Sequence, residues 1–194
     1  MKHFSDATPT AEKVLDAAEG LLQQRGYNGF SFDDVALLVG IKKPSIYHHF
    51  ATKAELACVV TQRYTHRFRA ALLDIEGRHS RAPERLAGYV ALFEKTFAQG
   101  QRLCVCGMLG AEAQSLPSDV GAEVRRFFEA NLVWLTQIIT EGQSAGLIRL
   151  QPEAGVLAEA LLCALEGAMV VGRGLASVRG PGAVGASMIF TLLV

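Results

Sequence analysis

The sequence has no excess charge of either sign. Its 194 residues hold 19 Lys and Arg against 19 Asp and Glu, a formal net charge of zero. That balance argues against a protein that coats nucleic acid at large, but leaves room for a small basic patch. Cysteine is scarce: Cys58, Cys104, Cys106 and Cys163 are too few and too scattered for a secreted disulfide scaffold. Long hydrophobic runs are missing as well. The longest uncharged stretch, Gly180 to Val194, is 15 residues broken by Pro181 and glycines, where a spanning helix needs about 20 apolar residues. The opening MKHFSDATPT is polar and lacks the apolar core of a signal peptide. These absences lead us to expect a cytoplasmic protein with reduced thiols and no membrane partner. Catalytic signatures are absent too. The five histidines (His3, His48, His49, His66, His79) have no nucleophile or carboxylate at recognisable spacing. No phosphate loop, dinucleotide fingerprint or zinc-protease motif occurs, so no enzyme, metal or cofactor is expected.

What is present is helical periodicity nearly throughout, with no strand alternation and no internal repeat. Half of the residues are hydrophobic, and a chain of this length buries roughly 70% of its unfolded surface. Val14, Leu15, Ala18, Leu21 and Leu22 share one face of a segment from about Thr10 to Arg25, closed by Gly26. Ser31 caps a second helix bearing Phe32, Val35, Ala36 and Val39, closed by Gly40. A third runs from about Lys43 to Phe50, with Pro44 tolerated in its first turn. Thr52 and Glu55 form a capping-box pattern opening a fourth helix to about Ile75. A polar link, Gly77 to Glu84, follows. Five more helices are predicted, near 83–98, 102–115, 119–145, 153–177 and 181–194. The expected fold is all-α with about nine helices: a three-helix DNA-binding domain over residues 1–56, a connecting helix at 52–75, and a larger helical domain over 57–194.

The informative stretch is GYNGFSFDDVALLVGIKKPSIYHHFATKAEL, Gly26 to Leu56. Two short amphipathic helices joined by a tight turn at Gly40 make a helix-turn-helix. Ile46 and Phe50 seat the second helix on the first, leaving Lys43, Ser45, Tyr47 and His48 to face outward. From Lys42 to Lys53 there are three lysines, two histidines and no acid, whereas residues 1–53 hold six bases and six acids. A neutral domain with a local charge of +3 suits docking on one groove better than sheathing a duplex.

These residues, in particular Gly26-Tyr27, Gly29-Phe30-Ser31, Val35-Ala36, Val39-Gly40-Ile41, Ser45-Ile46-Tyr47-His48-His49-Phe50, Lys53 and Glu55-Leu56, resemble the tetracycline-repressor (TetR) family of bacterial one-component regulators. The match is specific over about residues 10–60 and one of architecture beyond. The resemblance implies that Lys43, Pro44, Ser45 and His48 approach base edges. It implies that Lys42, Tyr47, Lys53 and the Thr52 backbone N–H meet phosphates. One position departs: Lys42 stands where the family commonly has Ser. Lysine cannot accept the capping hydrogen bond, a loss of about 0.5–2 kcal/mol, and Pro44 recovers part by pre-setting φ.

The resemblance further implies a homodimer on an inverted-repeat operator, with repression as the usual role, and release by a small, mostly apolar effector. The last two helices are the expected dimer interface, through stripes including Leu161, Leu165, Met169, Met188 and Leu192. Phe93, Phe97, Met108, Phe127, Phe128 and Trp134 are candidate pocket-lining residues that read equally well as a filled core. Cys104 and Cys106 point about 200° apart if helical, so they share no metal. Either one, beside a helix N-terminus and Arg102, is a candidate electrophile or oxidant sensor; the plainer reading is a small buried hydrophobe. A reading from another class, a helical adaptor for protein partners, leaves the lysines and Tyr47 without a role.

Overall fold

The computed structural model describes residues 8–177 and 179–194; Lys2, His3 and Asp6, counted above, lie outside the described residues. Nine α-helices and one 3₁₀ turn account for most of them. Helix α1 (Pro9–Arg25) starts where the Thr8 hydroxyl accepts from Ala11 N–H at 3.3 Å. It ends at Gly26, whose φ of 75° suits a residue without Cβ. Helix α2 (Phe32–Val39) opens with Ser31 and Asp34 exchanging hydrogen bonds in a full capping box, where the expected cap is Ser31 alone. Gly40 closes it in the left-handed conformation, φ 74° and ψ 33°. Helix α3 (Lys43–His49) has no side-chain cap, as Lys42 requires.

Helix α4 (Lys53–Arg78) is 26 residues long and runs past the expected end at Ile75. The expected polar link shrinks to residues 79–81, because α5 (Ala82–Phe97) begins at once. The expected helix from Arg102 to Ser115 is broken. Gly100 and Gln101 take positive φ, residues 102–104 are not helical, and α6 is only Val105–Ala111, followed by a 3₁₀ turn at Ala113–Ser115. Helices α7 (Ser118–Ser144), α8 (Ala154–Gly174) and α9 (Pro181–Leu192) follow. Beyond α9, Leu193 pairs with Ile148 in an isolated antiparallel bridge. Among the described helices, α8 is long and apolar enough to cross a membrane by length and composition, although Glu159, Glu166 and Arg173 interrupt its apolar run.

Two compact units form. The first holds the chain through Arg67 together with Val105–Phe127; the second holds Phe68–Cys104 and Phe128–Val194. This partition does not follow the expected break after residue 56. The first part of α4 belongs with the N-terminal helices, and so does α6, which packs on α1 with Val105, Cys106 and Leu109 buried.

In the first unit, Val14, Leu15, Leu22, Val35, Ile46 and Phe50 form the core of α1, α2 and α3. A charged tie joins α1 to α4. The buried Arg63 guanidinium meets Glu12 and Asp16 at 2.8 Å and Glu19 at 3.2 Å, and Arg67 also meets Glu19. In the second unit, α9 lies on α5 and α8. The approach is so close at Gly185 that a Cβ there would sit 2.5 Å from Val90 Cγ1. An aromatic cluster fills part of the same unit: Tyr89 stacks on Trp134 with centroids 5.5 Å apart and meets Phe93 at 5.3 Å and Phe68 at 5.9 Å.

Candidate nucleic-acid interface

Helix α3 owes its position to two anchors. Ile46 is completely buried and Phe50 nearly so, which fixes one side of the helix against α1 and α2. The other side is left exposed, with Lys42, Pro44, Ser45, Tyr47 and His48 on it. Tyr47 is 51% exposed, and its ring sits edge-on against Phe32 at 5.0 Å. That contact holds a hydroxyl-bearing ring at the surface at little further entropic cost.

The lysines are not equivalent. Lys42 is exposed at the helix start. Lys43 forms a 2.7 Å ion pair with Asp33 of α2, and that hydrogen bond raises its pKa. Lys53 turns inward. Its ammonium donates to the Phe30 carbonyl and lies 4.7 Å from the Tyr27 ring centroid and 4.5 Å from that of Phe30. Burial lowers its pKa, opposed by the charges of Glu112 and Asp34. The phosphate role expected for Lys53 is therefore not the one its geometry displays. Nothing in the local pattern signals this; the cue is the pair of aromatic rings that the 26–30 turn folds beneath the start of α4.

At the start of α4, the Thr52 hydroxyl accepts from Glu55 N–H at 3.1 Å, as the capping pattern requires. The Glu55 carboxylate reaches Ala51 N–H at 2.8 Å instead of that of Thr52. The box therefore does not consume the Thr52 N–H. The chemistry offered by this surface is a cation, hydroxyls, an imidazole and a helix N-terminus, the groups that hydrogen-bond phosphates and base edges.

The other site expectations fare unevenly. Leu161, Leu165 and Met169 are fully buried within the protomer and Leu192 nearly so, while Met188 is half-buried. The four buried ones pack within the protomer, which leaves Met188 alone of the five partly open. Both sides of α8 are apolar, so spacing alone does not tell them apart. The side left open carries Val156, Val170 and Val171, with Leu175 just beyond the helix; on α9, Phe190 is 78% exposed.

The six candidate pocket residues do not gather in one unit. Met108 and Phe127 belong to the first, where Phe127 meets Tyr64 at 5.7 Å; Phe93, Phe97, Phe128 and Trp134 belong to the second. Cys104 and Cys106 are buried, Cys104 lies just ahead of α6, and Cys163 is the exposed thiol. Cys104 is hydrogen-bonded to the buried carboxyl of Glu166, whose pKa is well above the usual range through burial, with Cys104 adding to it. An acidic neighbour is the opposite of the cationic setting that activates a thiol.

This architecture defines a helix-turn-helix DNA-binding regulator. The sequence profile "Bacterial regulatory proteins, tetR family" matches residues 14–58. A TetR-family regulator from Agrobacterium tumefaciens has a solved structure that superposes with a TM-score of 0.89 at 31% identity, covering 95% of this chain and 98% of that one. The transcriptional regulator AcuR from Cereibacter sphaeroides is 29% identical over 171 residues, 85% of this chain and 77% of AcuR. The transcriptional repressor DhaR from Mycobacterium sp. (strain GP1) is 27% identical over 165 residues, 84% of this chain and 82% of DhaR. The chain belongs to the TetR family of transcriptional regulators, whose members bind DNA and are not enzymes.

Proposed function

We propose that this protein is a homodimeric repressor that reads an inverted-repeat operator through Lys42, Lys43, Pro44, Ser45, Tyr47, His48 and Thr52. A small, mostly apolar effector in the C-terminal domain releases it. The observation that carries the DNA-binding part is the exposed polar side of α3 on a helix anchored by buried Ile46 and Phe50. Repression rests on the likeness to DhaR, a repressor by name. One helix-turn-helix binds weakly, and two copies reading half-sites about 34–36 Å apart supply the missing affinity. The open apolar side of α8 and α9 supports a second copy as its cover: Val170, Val171, Leu175 and Phe190 are all more than half exposed. For the effector, the support is that small-molecule binding is typical of the TetR family. We assign Lys53 to holding the 27–30 turn rather than to a phosphate.

Selection of bound sequences from a random duplex library, with purified protein at moderate salt, tests the reading. A two-fold symmetric site should be enriched, and Tyr47→Ala should lose it while melting at the wild-type temperature. A folded wild-type protein that enriches no sequence would reverse the conclusion in favour of the partner-binding class.

A further inference from the structure

Glu112 lies far from α3 in sequence, yet its carboxylate is spent on the segment that leads from α1 into the helix-turn-helix. It follows α6 and precedes the 3₁₀ turn. One oxygen accepts from Tyr27 N–H; the other accepts from Asn28 N–H at 3.1 Å and from the Asn28 side-chain amide at 3.0 Å. The same amide donates to the Ser115 hydroxyl at 2.9 Å, and that hydroxyl donates back to the Glu112 carbonyl at 3.0 Å. The clasp closes on the short segment between α1 and α2. Gly26 makes it possible, because a Cβ there would lie 2.6 Å from Glu112 Oε2.

The grip extends past the turn. The Tyr27 ring lies beneath the Lys53 ammonium, which donates to the Phe30 carbonyl, one residue before the Ser31 cap of α2. The Glu112 charge acts on Lys53 as well, favouring its protonated form. One carboxylate thus fixes the 26–28 turn, and through Lys53 it ties the first turn of α4 to the start of α2. These two elements flank α3 in the chain.

We propose that Glu112 is a positioning residue for operator recognition: its acceptor-only carboxylate sets the 26–28 turn, and through Tyr27 and Lys53 the placement of α3. The proposal rests on the DNA-binding reading above. A carboxylate is required because three N–H donors converge on it. An amide in its place turns one arm into a donor facing donors.

The test compares full-length wild type with Glu112→Gln and Asn28→Ala. Three quantities are measured: affinity for the selected operator, affinity for unrelated duplex of equal length, and amide hydrogen exchange. Loss of hydrogen bonds to a charged group predicts a drop of about 10-fold or more in operator affinity for Glu112→Gln. Unrelated-duplex affinity and its salt slope should stay at wild-type values, since no phosphate contact is removed. Protection should be lost at Tyr27 or Asn28, whichever faces the new amide nitrogen. Asn28→Ala, which keeps its backbone N–H, should show a smaller drop in the same direction and serves where Glu112→Gln fails to fold. Lost protection with an unchanged operator-to-unrelated ratio would overturn the proposal, as would an equal drop on both DNAs. Failure of the wild type itself to prefer any sequence would instead overturn the DNA-binding reading.

Discussion

The two compact units are held together differently. In the first, an apolar core is overlaid with charged ties: Arg63 with three acids of α1, Glu112 with residues 27–28, and, between neighbouring helices, Lys43 with Asp33. The second has such ties too, Arg85 with Glu141 and Glu94 with the Gly182 N–H, but it adds aromatic stacking and a close helix approach at Gly185, and an open apolar side remains on α8 and α9. Directional ties fix angles, which a surface reading base edges needs within fractions of an ångström. Non-directional packing supplies area, which suits a surface that meets another apolar surface.

The largest effects should separate the two sides of α8. Leu161 is fully buried, so Leu161→Ala should cost about 2–5 kcal/mol in urea unfolding. Val171→Asp, on the open side, should leave the helical circular dichroism intact but shift sedimentation from dimer to monomer. A Val171→Asp variant that remains dimeric would move the interface elsewhere.

Next comes the charged tie. The Arg63 side chain is 8% exposed while two of its three acids are largely open, so Arg63→Met should cost less than a fully buried pair, about 1–3 kcal/mol. Urea midpoints give the value. A neutral result would mean that the apolar core alone sets the α1–α4 geometry.

Subtler still is the contrast between lysines. Lys42→Ala should reduce the salt slope of DNA binding by about one unit. Lys53→Ala should leave the slope unchanged while lowering operator affinity, because its ammonium is engaged with Phe30 and two rings. A reduced slope for Lys53→Ala would restore it as a phosphate contact.

The smallest effect concerns Glu166. Burial raises its folded pKa, so the native state binds the proton more tightly than the unfolded chain. Its stability contribution is intact below the unfolded value of roughly 4.3 and falls as pH rises from there toward the folded pKa. Glu166→Gln should therefore match wild type in Tm near pH 4 and exceed it at pH 8.

The sequence by itself determined the local structure of the N-terminal helices and the identity of α3. Ser31, Gly40, Pro44, and the spacing of Ile46 and Phe50 act within a few residues of one another, and caps, turns and helical periodicity need no distant partner. Ends governed by tertiary contact were less legible: α4 runs on to Arg78, and α6 is cut short after two positive-φ residues. Tertiary structure alone decided which side of α8 is core, since Leu161 and Val171 are equally apolar and only α5 and α9 distinguish them. It also decided that Lys43 and Lys53 have partners inside the protein, and that Glu112 reaches back across 85 residues to Tyr27. Ion pairs and carboxylate clasps join groups that the chain brings together only after its helices have packed, and no periodicity in the sequence encodes where a side chain finds a donor.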